Sequence, residues 1–179
     1  MGKGFKPGND RDQAIMTELV RFTARSFRTL RPVPFGAAIV HSKSGELLYR
    51  ARNAVIREND PSSHAELRTV RLASKKLGRP SLSGYTLYST CEPCPMCMAN
   101  ALWASVDRVV YGATIGDANR FCNQIHIPAE EVARRSDMHC VVEGQVLREL
   151  CYELFTDPRM LKAFAAWSTR RKPGKRGAA

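Results

Sequence analysis

The 179-residue sequence contains no apolar run approaching the roughly 20 residues that a membrane-spanning helix requires, which excludes functions carried by such a span. Its first eight residues, Met1-Gly2-Lys3-Gly4-Phe5-Lys6-Pro7-Gly8, lack the apolar stretch of a secretory leader. The expectation is a soluble, cytoplasmic protein with no membrane partner. Cysteine is also sparse. Six residues, unevenly placed, do not make the disulfide framework of a small secreted scaffold, and three of them crowd into Cys91, Cys94 and Cys97, which points to metal instead. No internal repeat is present. A chain of this length with 44% hydrophobic residues buries one core and not two. The expected organisation is a flexible N-terminus over 1–10, one folded domain over 11–169, and a tail over 170–179.

Acidic residues are scarce as well, 17 against 28 Lys and Arg, for a net charge of +11. The imbalance is local. From Arg159 onward there are seven basic residues and no acid, which leaves +4 for everything before. The segment Arg170-Arg171-Lys172-Pro173-Gly174-Lys175-Arg176-Gly177 reads as a solvated, disordered arm or a weak electrostatic one more than as a surface built to read nucleic acid.

Apolar positions at helical spacing predict an amphipathic helix over 12–30, closed by Arg31-Pro32-Val33-Pro34. Residues 35–40 and 46–51 read as two strands of a hairpin around Ser42-Lys43-Ser44-Gly45. A helix is expected over 64–76, capped by Ser62 or Ser63 and stopped by Gly78. Residues 85–89 form a third strand, Pro95 opens a helix reaching 104, and 108–111 form a buried strand followed by a loop over 112–124. A helical turn at 128–133, a strand at 139–142 and helices at 144–155 and 158–167 complete the chain. Strands alternating with helices after a hairpin argue for an α/β fold: a three-layer α/β/α sandwich on a mixed sheet of about five strands.

Two stretches carry chemistry: Ser63-His64-Ala65-Glu66-Leu67 and Cys91-Glu92-Pro93-Cys94-Pro95-Met96-Cys97. Cys94 and Cys97, three apart at a helix start, present both thiols to one side, where the helix dipole favours the thiolates that bind metal. His64 opens the other long helix. One His and two Cys make three ligands, and a fourth position open to water distinguishes a catalytic Zn2+ from a closed structural one. Glu66, two residues from His64, is placed to move protons without being a ligand. An iron–sulfur reading of Cys91, Cys94 and Cys97 fails, because the further Cys-Pro that pattern expects is replaced by Ala101-Leu102. Cys91 then reads as a packed strand-end thiol, Cys122, Cys140 and Cys151 as small buried apolar residues, and His126 and His139 as structural histidines.

The H-x-E and P-C-x-x-C pair is the signature of zinc deaminases. Through it, and through Pro34-Phe35-Gly36-Ala37, Asn53 and Asp60-Pro61-Ser62-Ser63, the chain resembles the cytidine deaminase-like superfamily, in the branch holding guanine, guanosine and tRNA-adenosine deaminases. The resemblance covers about 16–111 and, more loosely, 144–155. It implies hydrolytic deamination of a nucleobase or nucleoside with release of ammonia, a place in purine metabolism, and a homodimer. It also implies that Asn53 and the Ala65 amide bind substrate and that Phe35 walls the pocket. Guanine deaminases of this type carry an acidic pair after the fourth strand. Here Asp117 is the only acid within Gly116-Asp117-Ala118-Asn119-Arg120-Phe121-Cys122-Asn123-Gln124, and it is the candidate substrate contact there. A small-molecule purine such as guanine or guanosine is the leading substrate; tRNA, with adenosine converted to inosine, is the alternative. A noncatalytic nucleic-acid-binding module with a closed zinc shell is a third reading.

Overall fold

A computed structural model describes residues 8–170. Of the N-terminus expected to be flexible over 1–10, residues 1–7 lie outside the described residues and Asn9 and Asp10 begin the first helix; all of the expected tail beyond Arg170 also lies outside the described residues. Arg170 itself ends the last helix.

The chain begins with α1 (Asp10–Ala24), capped by Asn9, whose side chain accepts from the Asp12 amide at 3.0 Å. The expected helix to residue 30 stops earlier, tightening into a 3-10 turn over Arg25–Arg28. The hairpin follows as β1 (Gly36–His41) and β2 (Leu47–Arg52). A short α2 (Val55–Glu58) then leads to α3 (Ala65–Leu77), β3 (Tyr85–Cys91) and α4 (Pro95–Trp103). The remainder is β4 (Arg108–Ala113), α5 (Ile115–Asn119), α6 (Ala129–Arg134), β5 (Val141–Glu143), α7 (Arg148–Thr156) and α8 (Pro158–Arg170).

The sheet runs in the order β2-β1-β3-β4-β5. β1 is antiparallel to both β2 and β3, whereas β4 is parallel to β3 and to β5, so the sheet is mixed and five-stranded as expected. Alternation along the strands divides the core. Ala38, Val40, Tyr88 and Val110 pack with Met16, Leu19, Phe155 and Phe164 of α1, α7 and α8. Their neighbours Ala37, Ile39, Leu87 and Val109 pack with Val70, Met98 and Ala129 of α3, α4 and α6. The result is the three-layer α/β/α sandwich. Among the described residues no helix is long and apolar enough to cross a membrane.

Two buried polar devices tie the layers. Asp12, 1% exposed, receives the Arg108 guanidinium through two hydrogen bonds of 2.8 and 2.7 Å and the Tyr88 hydroxyl at 2.6 Å. Arg108 also pairs with Glu143, which fastens β5 to α1 through β4. At the other end, Thr90 donates its hydroxyl to the Pro34 carbonyl and accepts the Gly36 amide, both at 3.0 Å, so the start of β1 is pinned against β3. Gly36 is required there: a Cβ would lie 1.9 Å from the Thr23 Oγ1.

Local departures from the sequence reading have local causes. The loop expected at 112–124 contains α5, started by a capping box in which Thr114 accepts from the Asp117 amide and Asp117 from the Thr114 amide. Val55–Glu58 is likewise helical, begun where Asn53 accepts the Val55 amide at 3.2 Å. α7 starts at Arg148 and not at 144, because Leu147 before it is left-handed, φ 51°. His126 and His139 are exposed, not structural. Of the cysteines read as buried, Cys151 is buried and Cys122 and Cys140 are half-buried.

Candidate metal centre and active site

β3 runs into the site and Pro93 and Pro95 end it, so Cys94 becomes the N-cap of α4 with Pro95 at the first helical position. On the neighbouring strand connection, His64 is the N-cap of α3. Neither serine fulfils the capping role expected of it. The Ser63 hydroxyl donates to Glu58 at 2.6 Å and lies 3.1 Å from Asp60, while the Ser62 hydroxyl donates to Asp60 at 2.7 Å. These contacts, with Arg68 reaching Glu58 at 2.8 Å and the Arg52 carbonyl at 2.6 Å, fix the turn that delivers His64.

The two helix starts converge. His64 Nδ1 is 3.6 Å from Cys94 Sγ and 3.5 Å from Cys97 Sγ, and the two sulfurs are 3.6 Å apart. A tetrahedral ion with Zn–S bonds of about 2.3 Å and a Zn–N bond of about 2.0–2.1 Å separates two sulfurs by about 3.8 Å and sulfur from nitrogen by about 3.5 Å. The observed triangle has those edges, so the donor set fits zinc. Among the described residues this is the one such group of three His, Cys or acidic residues. Three protein donors leave a tetrahedral ion one position for a non-protein ligand.

The electrostatics favour the same use. The hydrogen bond with Cys97 brings the Cys94 thiol down to about 4, against the opposing effect of burial, with His64 assisting. Cys97, the donor in that pair and buried, is pushed well up. His64 is raised, first by its hydrogen bond with Cys94, with burial opposing and the Glu66 charge adding. A cation binding here replaces those shared protons, so its binding is linked to proton release.

Glu66 lies in the first turn of α3, 5% exposed, with one oxygen accepting from Ser89 Oγ at 3.1 Å and the other 3.7 Å from Cys97 Sγ. Burial raises its carboxyl above the usual value, with His64 opposing. A carboxyl so placed can both take and return a proton.

The remaining expected residues are placed as follows. Ala65 is buried at the first position of α3. The Asn53 amide donates to the Phe35 carbonyl at 3.0 Å and the Ala54 amide to the Ser63 carbonyl at 2.9 Å, which brings Phe35, Asn53 and the residue before His64 together. The Phe35 ring meets Phe155 edge-on at 5.4 Å. Asp117 is buried, and both its oxygens are engaged, by Arg148 at 2.6 and 2.9 Å and by the Thr114 amide at 3.0 Å. It thereby joins α5 to α7.

Three residues around the site were not legible as such. Ser89 is the strand residue that orients Glu66, and nothing separates it from other strand serines in sequence. Arg148 was read as part of a helix only. Glu92, 8% exposed, accepts the Ile115 amide and the Ala129 amide at 3.0 Å each, at the starts of α5 and α6. An acid between a buried cysteine and a proline is the available signal, since it must be paired once buried.

Residues 9–113 match the family described as the cytidine and deoxycytidylate deaminase zinc-binding region. The chain is 41% identical over 105 residues to the guanine deaminase of Bacillus subtilis, covering 55% of this chain and 66% of that one, so it spans just under two thirds of that relative. It is 35% identical over 140 residues to the tRNA-specific adenosine deaminase of the same organism, covering 78% and 83% of the two chains. A solved guanine deaminase from Nitrosomonas europaea superposes with a TM-score of 0.74 at 22% identity, covering 91% of this chain and 87% of that one, a likeness of fold. With the sheet order, the ligand triangle and the buried Glu66 on one scaffold, and with more than half of its length matching, the chain belongs to the cytidine and deoxycytidylate deaminase zinc-binding family.

Proposed function

We propose that the domain over 11–169 is a zinc-dependent aminohydrolase that deaminates a purine, guanine or guanosine, and releases ammonia. The observation that carries this reading is the buried Glu66 carboxyl beside the His64, Cys94 and Cys97 triangle, held by Ser89. When bound by these three residues, zinc supplies the Lewis acidity that lowers the pKa of water toward about 7. Glu66 takes the proton of the attacking water at the carboxyl oxygen that does not accept from Ser89 and delivers it to the ring nitrogen next to the amino-bearing carbon. It then moves the second proton to the departing amine, so that water is consumed and ammonia leaves. The Ala65 amide and Asn53 hold the ring in this reading, and Phe35 walls the pocket. Asp117 acts with Arg148 to hold α5 and α7 beside it.

The tRNA reading is supported by the longer match to the tRNA-specific adenosine deaminase. Ammonia release from guanine, guanosine and adenosine, measured beside inosine formation in tRNA, separates the two. Turnover of tRNA alone would replace the first reading with the second. In both, the enzyme works in the cytoplasm as a homodimer. The face of α4 and the α6 approach that exposes Trp103 (77%), Ile127 (43%) and Met96 (37%) supports self-association, and sedimentation of Trp103→Asp against the wild type tests it.

A further inference from the structure

Glu92 stands between Cys91, the last residue of β3, and the Pro93-Cys94 turn that opens α4, the helix start where two of the three metal donors lie. The Glu92 amide donates to the Ala113 carbonyl at 2.8 Å, which fastens the backbone to the end of β4. Its carboxyl group is buried, and no Lys, Arg or His pairs with it among the described residues. Backbone N–H groups hold it instead: one oxygen accepts from Ile115 and the other from Ala129, each at 3.0 Å. A donor on each oxygen is the pattern of the ionised carboxylate.

Neither amide has a partner nearer in sequence. The capping box of α5 uses the Thr114 and Asp117 amides and leaves the Ile115 amide over. α6 follows Pro128 without a side-chain cap, which leaves the Ala129 amide over. Glu92 thus caps two helices at once, of five and six residues, too short to hold their own ends. Because one rigid carboxylate takes both amides, it also closes the loop over 115–129 at its base. At its far side the loop carries Phe121, stacked on Phe155 at 5.7 Å, and Phe155 meets Phe35 at 5.4 Å. The loop therefore stands on the metal turn and leans, through Phe155, on the residue assigned to the pocket wall.

We propose that Glu92 is a positioning residue that couples the loop over 115–129 to the metal centre. With an ion held by His64, Cys94 and Cys97, the turn is fixed by Cys94 on one side and by β3 on the other, and Glu92 presents its two oxygens at one place. Without the ion Cys94 loses that anchor, and both loop ends lose theirs together. Coupling of this kind is reciprocal, so the loop raises the affinity for zinc by the factor by which zinc orders the loop. The coupling rests on zinc binding at these three residues and not on which base is deaminated.

The test is hydrogen exchange at the Ile115 and Ala129 amides, with and without zinc, beside zinc affinity measured by competition with a chelator. In the wild type, zinc is expected to slow exchange at both amides at least about tenfold, against less than about threefold at Ile39 and Leu87 in the sheet. Glu92→Gln should bring the zinc effect at the two amides to within about threefold and weaken zinc binding by at least about threefold. A cap that serves stability alone would speed exchange by the same factor with and without zinc and leave the affinity unchanged, and that result overturns the proposal. Asp117→Asn, which loosens the loop at its Arg148 tie and not at Glu92, should keep the difference of about tenfold, and its loss there would overturn the assignment to Glu92. If Glu92→Gln does not fold, the wild type decides alone: protection at the two amides that ignores zinc, or changes only in step with Ile39 and Leu87, overturns the coupling. Zinc content separates the two readings. A wild type that takes up no zinc overturns the metal centre itself, whereas zinc bound without the exchange difference overturns only the coupling.

Discussion

His64 Nδ1 and Cys94 Sγ lie 3.6 Å apart although they cap two different helices and are separated by 30 residues. Both occupy an N-cap with nearly the same extended backbone, φ −66° and ψ 155° for His64 and φ −65° and ψ 166° for Cys94. Each side chain is thus directed off the start of its helix, where two dipoles meet. The metal centre is the junction of α3 and α4, and the ion should hold that junction together.

Removal of zinc therefore lowers the stability of the layer formed by α3 and α4. Chelation should reduce the thermal midpoint by several degrees, the scale set by about 2–4 °C per kcal/mol for a chain of this size. Readdition of zinc restores it, and Cys97→Ser shows neither the loss nor the recovery. Differential scanning calorimetry with metal analysis reads both.

Glu92→Gln tests the buried carboxylate. An amide side chain has one acceptor oxygen and turns an N–H toward the second backbone donor, so either the Ile115 or the Ala129 amide loses its partner. The expected cost is about 1–3 kcal/mol in urea unfolding. Hydrogen exchange should localise the loosening to α5 and α6, and exchange unchanged at both helix starts would contradict the assignment.

Much of this was written in the sequence, and the remainder has physical reasons for being hidden. His64, Cys94, Cys97 and Glu66 were legible because metal and proton chemistry demand particular residue types at fixed spacing, and Pro93 and Pro95 mark where β3 must stop. The five strands were legible because one rule, alternation between two buried faces, acts at Ala37/Ala38, Leu87/Tyr88 and Val109/Val110 alike. α5 was hidden because five residues holding Gly116 and Asn119 have no helical periodicity, and only the Thr114–Asp117 box starts them. The cap at His64 was misread because Ser62 and Ser63 are good caps by type, yet Glu58 and Asp60 take their hydroxyls. The roles of Ser89 and Arg148 depend on contacts 23 and 31 residues away in sequence, beyond the reach of local pattern.

The Glu58 carboxyl gives a pH dependence. Hydrogen bonds from Ser63, then Arg57 and Arg68, hold it down to about 2. Its ordinary value in an unfolded chain is about 4.3, so the folded pKa is depressed. The stabilisation is fully present above about 4.3 and is lost as the pH falls toward about 2. Glu58→Gln should match the wild type in its loss of stability everywhere except that window, where the wild type falls more steeply. Parallel slopes between pH 4.5 and 2 would remove Glu58 from the turn that sets His64.

Gly36→Ala places a methyl 1.9 Å from Thr23 Oγ1 and 3.1 Å from its Cβ. Overpacking of this kind costs about 1–3 kcal/mol. Thr23→Ala removes the hydroxyl and should recover part of that loss in the double variant, because the two changes share one contact. Additive losses would mean that the strain lies elsewhere on β1.

The central claim is that Glu66 moves the protons and does not hold the metal. Zinc content and ammonia release measured together on purified Glu66→Gln decide it. The account predicts one zinc per chain, as in the wild type, with turnover of the wild-type substrate reduced by at least about 100-fold, the contribution typical of a positioned acid–base group. A Glu66→Gln protein that turns over at the wild-type rate, or that loses its zinc, would contradict it.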